Sequence, residues 1–496
     1  MEIILNWQDQ TMSQSPKIPA SAWAIADLLS FDQDYSFEIP DYQRPYVWSE
    51  KNINALLNDL FNHFKDGPQA HKGFYIGAIL LHQVDHNKYA IIDGQQRITT
   101  LLIIDYVLND GESIIVTKEK HLKLYFGARR SKENIHLNKN TIRQSPLLPE
   151  LKKHRSELLK NIVATVIITE SQDDAFIFFD TQNSRGKNLG AIDFLKSFHL
   201  RSLSGNLDLQ KGFARDWDRD NSDQFLQTLF TEVLWRARHW RGWGIIDNNE
   251  ENEKELLLNE FQQRSVKIRG GNEVPIYPGL LNTQGTHLRI HPGRDMEIVH
   301  SATGDINECL RYPFSLRQPI QQGAGFFLYA QKYATLYHYL FDQEKNVEAE
   351  VAELRRLYCM VYKPLISYLR QFFELCVVAH YDRFGPEKLL TLGLWMDYLI
   401  GSYRIAQSRI TRQTPIKILR DNEINLLDLV TSAYRPEDVA VFITSISNEK
   451  AYKEEAVETG RGVRGRYKQS ILSYFGKAAD AHLSDKKNWI YARLQP

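Results

Sequence analysis

The sequence KYAIIDGQQRITTLLII, a strand followed by a turn and a helix, carries the residue types best suited to chemistry. Gly94 permits a tight turn or a close backbone approach. The helix after it begins with unpaired backbone N–H groups and a positive dipole end, which attract an anion. Arg97, Thr99 and Thr100 fall at the start of that helix. A phosphate there would receive backbone amides, a guanidinium and hydroxyl groups together.

Polar residues at the same turn also suit hydrolysis. Asp93 ends the strand and could hold Mg²⁺ or orient a water molecule. Gln95 or Gln96 could position a nucleophilic water, as a glutamine does in small GTPases. The structural alternative is an Asp-Gly turn, a capped helix and Arg97 in a salt bridge. Spacing alone slightly favours this alternative.

The upstream segment IPDYQRPYVWS places aromatic rings and one guanidinium between two prolines that stiffen an extended chain. Tyr42, Gln43 and Arg44 suit stacking on a base and contact with a phosphate. Tyr46 and Trp48 could instead anchor a hydrophobic core, which is the favoured interpretation for Trp48. Arg44 is harder to explain structurally, because a buried arginine requires an anionic partner.

A third motif, FFDTQNSRGKNLGAIDFLKSF, predicts a helix, a glycine-containing turn and a second helix. Asn183 and Gly186 belong to the turn, and Asp193 and Lys196 lie three residues apart on one face of the second helix. These residues could complete a phosphate or metal site. Turns of this kind are common, so the motif is weak evidence when taken alone.

Two basic segments have competing interpretations. WRARHWRGW, at 235–243, interleaves tryptophan with arginine, which is compatible with contacts to a DNA backbone or a modified base. The favoured alternative is an amphipathic helix end with core tryptophans and solvated arginines. Residues 129–155 carry eight Lys or Arg against two Glu, and we expect a surface excursion there. The whole chain is neutral, with 61 basic and 61 acidic residues, so these runs must be considered locally.

Length and composition predict a globular protein of several domains. A chain of 496 residues, 43% hydrophobic, is too long and too apolar for a tail or a disulfide mini-scaffold. No run approaches the ~18 apolar residues of a membrane span, and MEIILNWQDQ lacks a secretory signal pattern. We therefore expect a cytoplasmic location. The three cysteines form no Cys-x-x-Cys pair, which argues against structural zinc.

The predicted fold class is α+β. Two β-rich runs, FYIGAILLH and KYAIID, predict a hairpin, and SEKNINALLNDLFNHF predicts an amphipathic helix opened by Ser49. Helical periodicity dominates the C-terminal half. We expect an N-terminal domain at 18–205, a helical and loop-rich connecting region at 206–325 and a helical C-terminal domain at 326–496.

The order of IPDYQRPYVW, YIGAI, YAIIDGQQRITTLL and FDTQNSRGKNLGAIDFLK resembles the N-terminal domain of GmrSD-type restriction endonucleases. That family carries an Asp-Gly-Gln-Gln-Arg motif and is related in fold to ParB and sulfiredoxin. The resemblance covers roughly residues 20–200. It implies a nucleoside-triphosphatase module of prokaryotic anti-phage defence, acting in modification-dependent restriction.

The resemblance also implies a set of site residues. Those that would bind the nucleotide or take part in its hydrolysis are Tyr42, Gln43, Arg44, Asp93, Gly94, Gln95, Gln96, Arg97, Thr99, Asn183, Gly186, Asp193 and Lys196. The expected reaction is hydrolysis of the β–γ bond with Mg²⁺. Asp93 and Gln95 would place the metal and the water, while Arg44 and Arg97 would neutralise phosphate charge.

Many relatives end in an HNH nuclease, which needs several histidine or asparagine groups around one metal. After residue 340 the chain has only His380 and His482, so we expect the nuclease to be absent or supplied by a partner chain. The other expected partner is phage DNA that bears modified bases or lacks host marks; a homo-oligomer is left open, and no membrane partner is expected. Two alternatives remain: the domain is itself a metal-dependent nuclease, or it senses nucleotide or DNA without turnover.

Overall fold

The structure is a computed structural model of the chain. The residues it describes are 20–29, 36–40, 43, 45–65, 73–111, 122–123, 126, 129–171, 174–175, 190–203, 207–221, 224–245, 252–262, 286–290, 296–300, 310, 312, 314–342, 347–364, 367–454 and 456–495. They divide into two compact units, Met1–Leu189 and Gly190–Pro496. A mixed sheet belongs to the first unit and helices dominate the second, which confirms the predicted α+β class.

The first unit contains a six-stranded sheet and six helices among its described residues. In chain order its elements are β1 (Ala20–Ala24), α1 (Ile25–Leu29), β2 (Ser36–Glu38), α2 (Glu50–Phe64), β3 (Phe74–Asp85), β4 (Lys88–Asp93), α3 (Gln95–Leu108), β5 (Leu122–Lys123), α4 (Arg129–Gln144), α5 (Leu148–Lys153), α6 (Leu158–Asn161) and β6 (Ile162–Thr169). The strand order is β1-β6-β3-β4-β2-β5. The β1–β6 and β3–β4 pairs are antiparallel, and the β3–β6, β2–β4 and β2–β5 pairs are parallel.

The predicted hairpin is confirmed as β3 and β4. Strand β4 lies inside the sheet, between β3 and β2, so its apolar residues Ala90, Ile91 and Ile92 are buried. An interior strand has hydrophobic neighbours on both faces, which explains the continuous rather than alternating apolar run. Asp93 is the last residue of β4, so it lies directly before the start of α3.

Helix α2 begins as predicted at Ser49, which forms a capping box with Asn52. Its buried face consists of Ile53, Leu56, Leu57, Leu60 and Phe64, the residues expected from the i, i+3, i+4 spacing. Helix α3 differs because it is buried on nearly all sides. A helix that is apolar over most of its circumference belongs in the interior of a domain.

The expectation of a surface excursion at 129–155 was wrong. These residues form α4 and α5. Ser131, Asn138 and Ile142 of α4 are buried, and their spacings of seven and four residues place them on one helix face. Two of these buried residues are polar, so hydropathy could not mark the face as an inward one.

The second unit is mainly helical. Its described regular elements are α7 (Ala191–Arg201), α8 (Leu207–Asp220), α9 (Phe225–Thr228), a π-helical turn (Leu229–Trp235), α10 (Arg236–His239), α11 (Glu253–Phe261), β7 (Thr286–Ile290), β8 (Met296–His300), α12 (Ala324–Phe341), α13 (Ala349–Leu357), a second π-helical turn (Tyr358–Tyr362), α14 (Ser367–Phe384), α15 (Leu389–Ala406), α16 (Gln413–Arg420), α17 (Leu426–Ser432), α18 (Pro436–Ile446), α19 (Glu449–Lys453), α20 (Gly462–Tyr474), a 3₁₀ turn (Leu483–Asp485) and α21 (Lys486–Leu494). Strands β7 and β8 pair antiparallel. Within the described part of the chain, no helix is both long and apolar enough to cross a membrane.

The tryptophan–arginine cluster has a mixed outcome. Trp235 and Trp240 are buried, as the core interpretation predicted, whereas Trp243 is 66% exposed. The prediction of solvated arginines was wrong for Arg236 and Arg238. Both are buried or nearly so and form ion pairs, Arg236 with a glutamate one turn earlier and Arg238 with one from α11. A buried guanidinium needs such a partner, which the local spacing did not reveal.

Candidate functional site

The turn between β4 and α3 depends on glycine. Gly94 has φ 98°, in the left-handed region that side chains disfavour. A Cβ on this residue would also lie 2.9 Å from Cγ1 of Ile79 on the neighbouring strand. Both the backbone conformation and the close packing therefore require glycine, as the sequence pattern indicated.

Helix α3 begins immediately after Gly94 without a capping side chain. The first N–H groups of a helix have no acceptor inside the helix, and no side chain in the described part of the chain substitutes for one here. The first intrahelical bond is donated by Ile98 N to Gly94 O, at 2.9 Å. The amides before Ile98 thus form an end of positive potential, which suits a phosphate group.

Asp93 and Arg97 form an ion pair across the first turn. Arg97 Nη2 lies 3.1 Å from Asp93 Oδ2 and donates a second hydrogen bond to Ala78 O at 2.5 Å. The two side chains are 24% and 37% exposed. Gly77 makes room for this guanidinium, because a Cβ there would lie 2.7 Å from Arg97 Nη1. The salt bridge that the sequence left as an alternative is present, at the edge of the turn and open to solvent.

Gln96 and Thr100 hold the upstream segment against α3. Gln96 Oε1 accepts from Val47 N at 2.9 Å, and its Nε2 donates to Pro45 O at 3.0 Å. Thr100 Oγ1 donates to Gln96 O at 2.9 Å and lies 2.8 Å from Tyr46 OH. Both polar atoms of the Gln96 amide are occupied by backbone, so Gln96 could position a water only if these bonds opened.

Tyr46 is the buried centre of this arrangement and belongs to the hydrophobic core, as the structural interpretation allowed. Asn138 Nδ2 donates to Tyr46 OH at 3.0 Å, and the tyrosine in turn donates to Thr100. Burial raises the pKa of the Tyr46 phenol, so the hydroxyl stays protonated and able to donate. Ser131 and Asn134 of α4 bind the Tyr46 backbone at 2.9 and 2.8 Å.

Gln43 ties the same segment to the end of β4. Its Nε2 donates to Ile92 O at 2.6 Å, one residue before Asp93. Gln43 and residues 45–47 are thus fixed beside the β4–α3 turn. Tyr42 and Arg44 lie outside the described residues, and the assignment of both to nucleotide binding stays a prediction.

Gln95 and Thr99 differ from their neighbours. They lie four residues apart, on one face of α3, and are only 4% and 3% exposed. Gln95 Oε1 and Thr99 Oγ1 nevertheless have no hydrogen-bond partner within the described residues. A buried polar atom without a partner costs free energy, about 1–3 kcal/mol, and calls for an explanation. These two atoms belong to the first turns of an uncapped helix.

The candidate residues of the third motif lie outside the described residues of the first unit. Asn183 and Gly186 lie outside the described residues. Asp193 and Lys196 belong to α7, in the second unit. Lys196 is almost completely buried, and its Nζ lies 2.8 Å from Asp218 Oδ1 of α8. A role for Lys196 in phosphate binding would require this pair to break.

The residues of the turn fit a magnesium ion that arrives with a nucleotide. Such an ion is held by one or two carboxylates, by phosphate oxygens and by water. Asp93 supplies one partly exposed carboxylate whose Oδ1 makes no hydrogen bond within the described residues. Among those residues, no group of three or more His, Cys, Asp or Glu could hold a metal ion. The donor set therefore fits only a site that the substrate completes.

Sequence reasoning missed two groups of positioning residues. Gly77 was noted only as part of YIGAI, although its missing side chain admits the Arg97 guanidinium. Ser131, Asn134 and Asn138 were placed in a surface excursion, yet they bind the Tyr46 segment. A pattern of small polar residues at three- and four-residue spacing in a basic helix was the available indication.

Comparisons with known families give two matches along the chain. Residues 25–200 match the GmrSD restriction endonuclease, N-terminal domain, so the resemblance predicted from the motifs is confirmed. Residues 209–459, just over half of the chain, match a family of unknown function, DUF7834. The chain therefore belongs to that family and carries a GmrSD-type N-terminal domain before the matched region. No curated protein matches the chain.

Proposed function

We propose that the first unit binds a nucleoside triphosphate at the β4–α3 turn and hydrolyses its β–γ bond. In this proposal the protein is the hydrolase component of a prokaryotic, modification-dependent anti-phage restriction system in the cytoplasm. The match to the GmrSD restriction endonuclease N-terminal domain supports a role in restriction. The hydrolase assignment is supported by the turn itself.

The observation that carries the proposal is the unused hydrogen-bonding capacity of Gln95 and Thr99. Both side chains are buried, and Gln95 Oε1 and Thr99 Oγ1 have no hydrogen-bond partner within the described residues. They follow a glycine turn at the start of a helix whose first amides have no capping side chain. A phosphate group with a water molecule would satisfy all of these groups together, since phosphate oxygens accept and water donates.

Each residue of the turn has a defined task in this proposal. The Thr99 hydroxyl and the first amides of α3 donate to phosphate oxygens, and Arg97 neutralises their charge. Gln95 Oε1 accepts from the attacking water and orients it, the role that glutamine has in GTPases. Mg²⁺, when bound, would stabilise charge on the phosphate oxygens, and Asp93 would hold it.

The remaining predicted residues complete the proposal. Tyr42 and Arg44 would contact the base and phosphates from the segment that Gln43 holds beside the turn. Asn183, Gly186, Asp193 and Lys196 are proposed as further nucleotide ligands. Hydrolysis would control a nuclease, supplied by a partner chain, that acts on phage DNA.

The test is phosphate release by the purified full-length chain with each of the four ribonucleoside triphosphates and Mg²⁺. Gln95→Leu keeps the side-chain size but cannot orient water, and we expect turnover to fall on the order of a hundredfold. Gln83→Leu, the same substitution on the β3–β4 hairpin, is the matched control and should leave turnover unchanged.

Three results would contradict the proposal. If Gln95→Leu turns over nucleotide as fast as the wild type, Gln95 has no role in the reaction. A nucleotide that raises the melting temperature without phosphate release would indicate a sensor. Cleavage of DNA with Mg²⁺ and no nucleotide would instead identify the domain as a nuclease.

A further inference from the structure

We propose that α4 binds the phosphate backbone of DNA through a row of basic side chains, defined here as the basic stripe: Lys132, His136, Lys139 and Arg143. This inference deepens the proposed function and rests on its DNA partner. The spacing of four, three and four residues places all four side chains within about 60° of the helix circumference. Lys132, His136 and Arg143 are exposed, and Lys139 is half-buried.

The stripe is electrostatically unsatisfied. Lys132, Lys139 and Arg143 make no hydrogen bond or ion pair within the described residues, unlike Lys152 and Lys153 of α5, which pair with Asp110 and Glu150. Glu133, the one acidic residue in the sequence of α4, lies about a quarter turn away from the stripe. A row of unpaired cations on one helix face attracts a polyanion.

The length of the stripe identifies the polyanion. Lys132 and Arg143 are eleven residues apart, which is about 16 Å along the helix axis. A triphosphate chain is much shorter than this. One strand of duplex DNA carries a phosphate about every 3.4 Å of its axis, so the stripe can face roughly five phosphates in succession.

A groove beside the stripe supports the same assignment. It has a volume of about 380 Å³ and is lined by Phe126, Ile135, Lys132, His136 and Lys139. Its lining thus combines two apolar side chains with three residues of the stripe. This combination suits a sugar–phosphate strand, whose sugars are apolar on their edges and whose phosphates are charged.

The opposite face of the same helix gives the stripe a functional connection. Ser131, Asn134 and Asn138 bind the Tyr46 segment, which Gln96 holds against α3. DNA bound to the stripe would therefore contact the helix that is hydrogen-bonded to Tyr46. The Tyr46 segment in turn lies beside the proposed hydrolysis site.

The experiment measures binding of the full-length chain to a fluorescein-labelled 20-base-pair duplex by anisotropy, over a range of salt concentrations. For Lys132→Ala/Lys139→Ala we expect the slope of log K against log salt to fall by about 1.8. Affinity at 0.1 M salt should fall on the order of tenfold per lysine. Lys51→Ala/Lys160→Ala removes the same charge from exposed positions of α2 and α6 and should bind like the wild type.

The outcomes separate this inference from the proposed function. Equal affinity of the stripe variant and the wild type would overturn the inference, as would an equal loss in the control variant. Displacement of the duplex by a single Mg²⁺–triphosphate competitor at the stripe would assign the stripe to the nucleotide and also overturn it. If the wild-type chain hydrolyses nucleotide but binds no duplex, DNA is not its partner and this inference fails. The proposed hydrolysis would still stand, because phosphate release is measured independently.

Discussion

Thr99 and Thr100 are adjacent in sequence and have opposite environments. Thr99 Oγ1 is buried without a partner in the described residues, whereas Thr100 Oγ1 bonds to Gln96 O and Tyr46 OH. Valine has nearly the same shape as threonine, so the two valine variants separate ligand binding from stability.

We predict that Thr99→Val loses nucleotide hydrolysis while its free energy of unfolding stays the same or rises by up to about 1 kcal/mol, because an unpaired buried hydroxyl disappears. Thr100→Val should lower the free energy of unfolding by about 1–3 kcal/mol, because Tyr46 OH loses its acceptor. Urea unfolding and phosphate release measure both quantities. Full hydrolysis by Thr99→Val would show that the Thr99 hydroxyl serves no ligand.

Single residues of the site were only partly predictable. The requirement for glycine at residue 94 followed from the Asp-Gly turn and is confirmed by its positive φ. The different tasks of Gln95 and Gln96 could not be predicted, because adjacent residues on a buried helix face different neighbours. Gln96 binds Pro45 and Val47, contacts between residues about fifty positions apart in sequence. Such long-range partners leave no local pattern.

At the scale of elements, α4 is a helix that the sequence analysis did not predict, and it binds the segment around Tyr46, which the sequence analysis did single out. Asn138 Nδ2 donates to both Tyr46 OH and Trp48 O and is completely buried. We predict that Asn138→Ala lowers the free energy of unfolding by about 2–3 kcal/mol, since the buried Tyr46 hydroxyl and the partly buried Trp48 O lose a donor. Chemical denaturation measures this.

Asn140→Ala is the control for that variant. Asn140 lies on the same helix and makes no hydrogen bond within the described residues. Because alanine favours helix more than asparagine does, its stability should stay unchanged or rise slightly. Equal stability of Asn138→Ala and the wild type would mean that the Tyr46 segment is held by other contacts.

Elements differ in how well periodicity revealed them. The apolar i, i+3, i+4 pattern of α2 predicted both its buried face and its Ser49 start. The interior side of α4 includes Ser131, Asn134 and Asn138, which bind backbone groups rather than pack in an apolar core. Hydropathy detects apolar burial only, so a helix fixed by hydrogen bonds resembles a solvated one.

At the scale of the whole molecule, the α+β class followed from strand patterns near the N-terminus and helical periodicity afterwards. The GmrSD-type domain was also predictable, because four motifs occur in the order typical of that family. All four lie within the 176 residues, 25–200, that match the family model. The environment of titratable groups in the second unit was not predictable. Burial of a histidine depends on the packing of several helices, as His199 and His380 show.

Burial keeps His199 neutral by lowering its pKa, and two hydrogen bonds fix which ring nitrogen carries the proton. Its Nε2 lies 2.9 Å from Phe261 O and must donate to that carbonyl, so Nδ1 accepts from Gly323 N at 3.1 Å. The imidazole also stacks on Phe326, with 3.7 Å between ring centroids. A proton on Nδ1 would face the Gly323 N–H, and burial lowers the pKa of His199 to about 3. Burial likewise lowers the pKa of His380 to about 4.

These two pKa values predict that the second unit is unstable in acid. Between the folded pKa and the ordinary value of 6.5, the unfolded chain binds a proton that the folded chain does not, so stability falls as pH falls through this range. From pH 7.5 to pH 5 we expect a loss of about 2 kcal/mol per histidine. Urea unfolding at both pH values measures this loss.

In His199→Leu the pH-dependent loss should be about 2 kcal/mol smaller than in the wild type, whatever the variant's own stability. An unchanged dependence in His199→Leu would show that His199 is not the group that titrates.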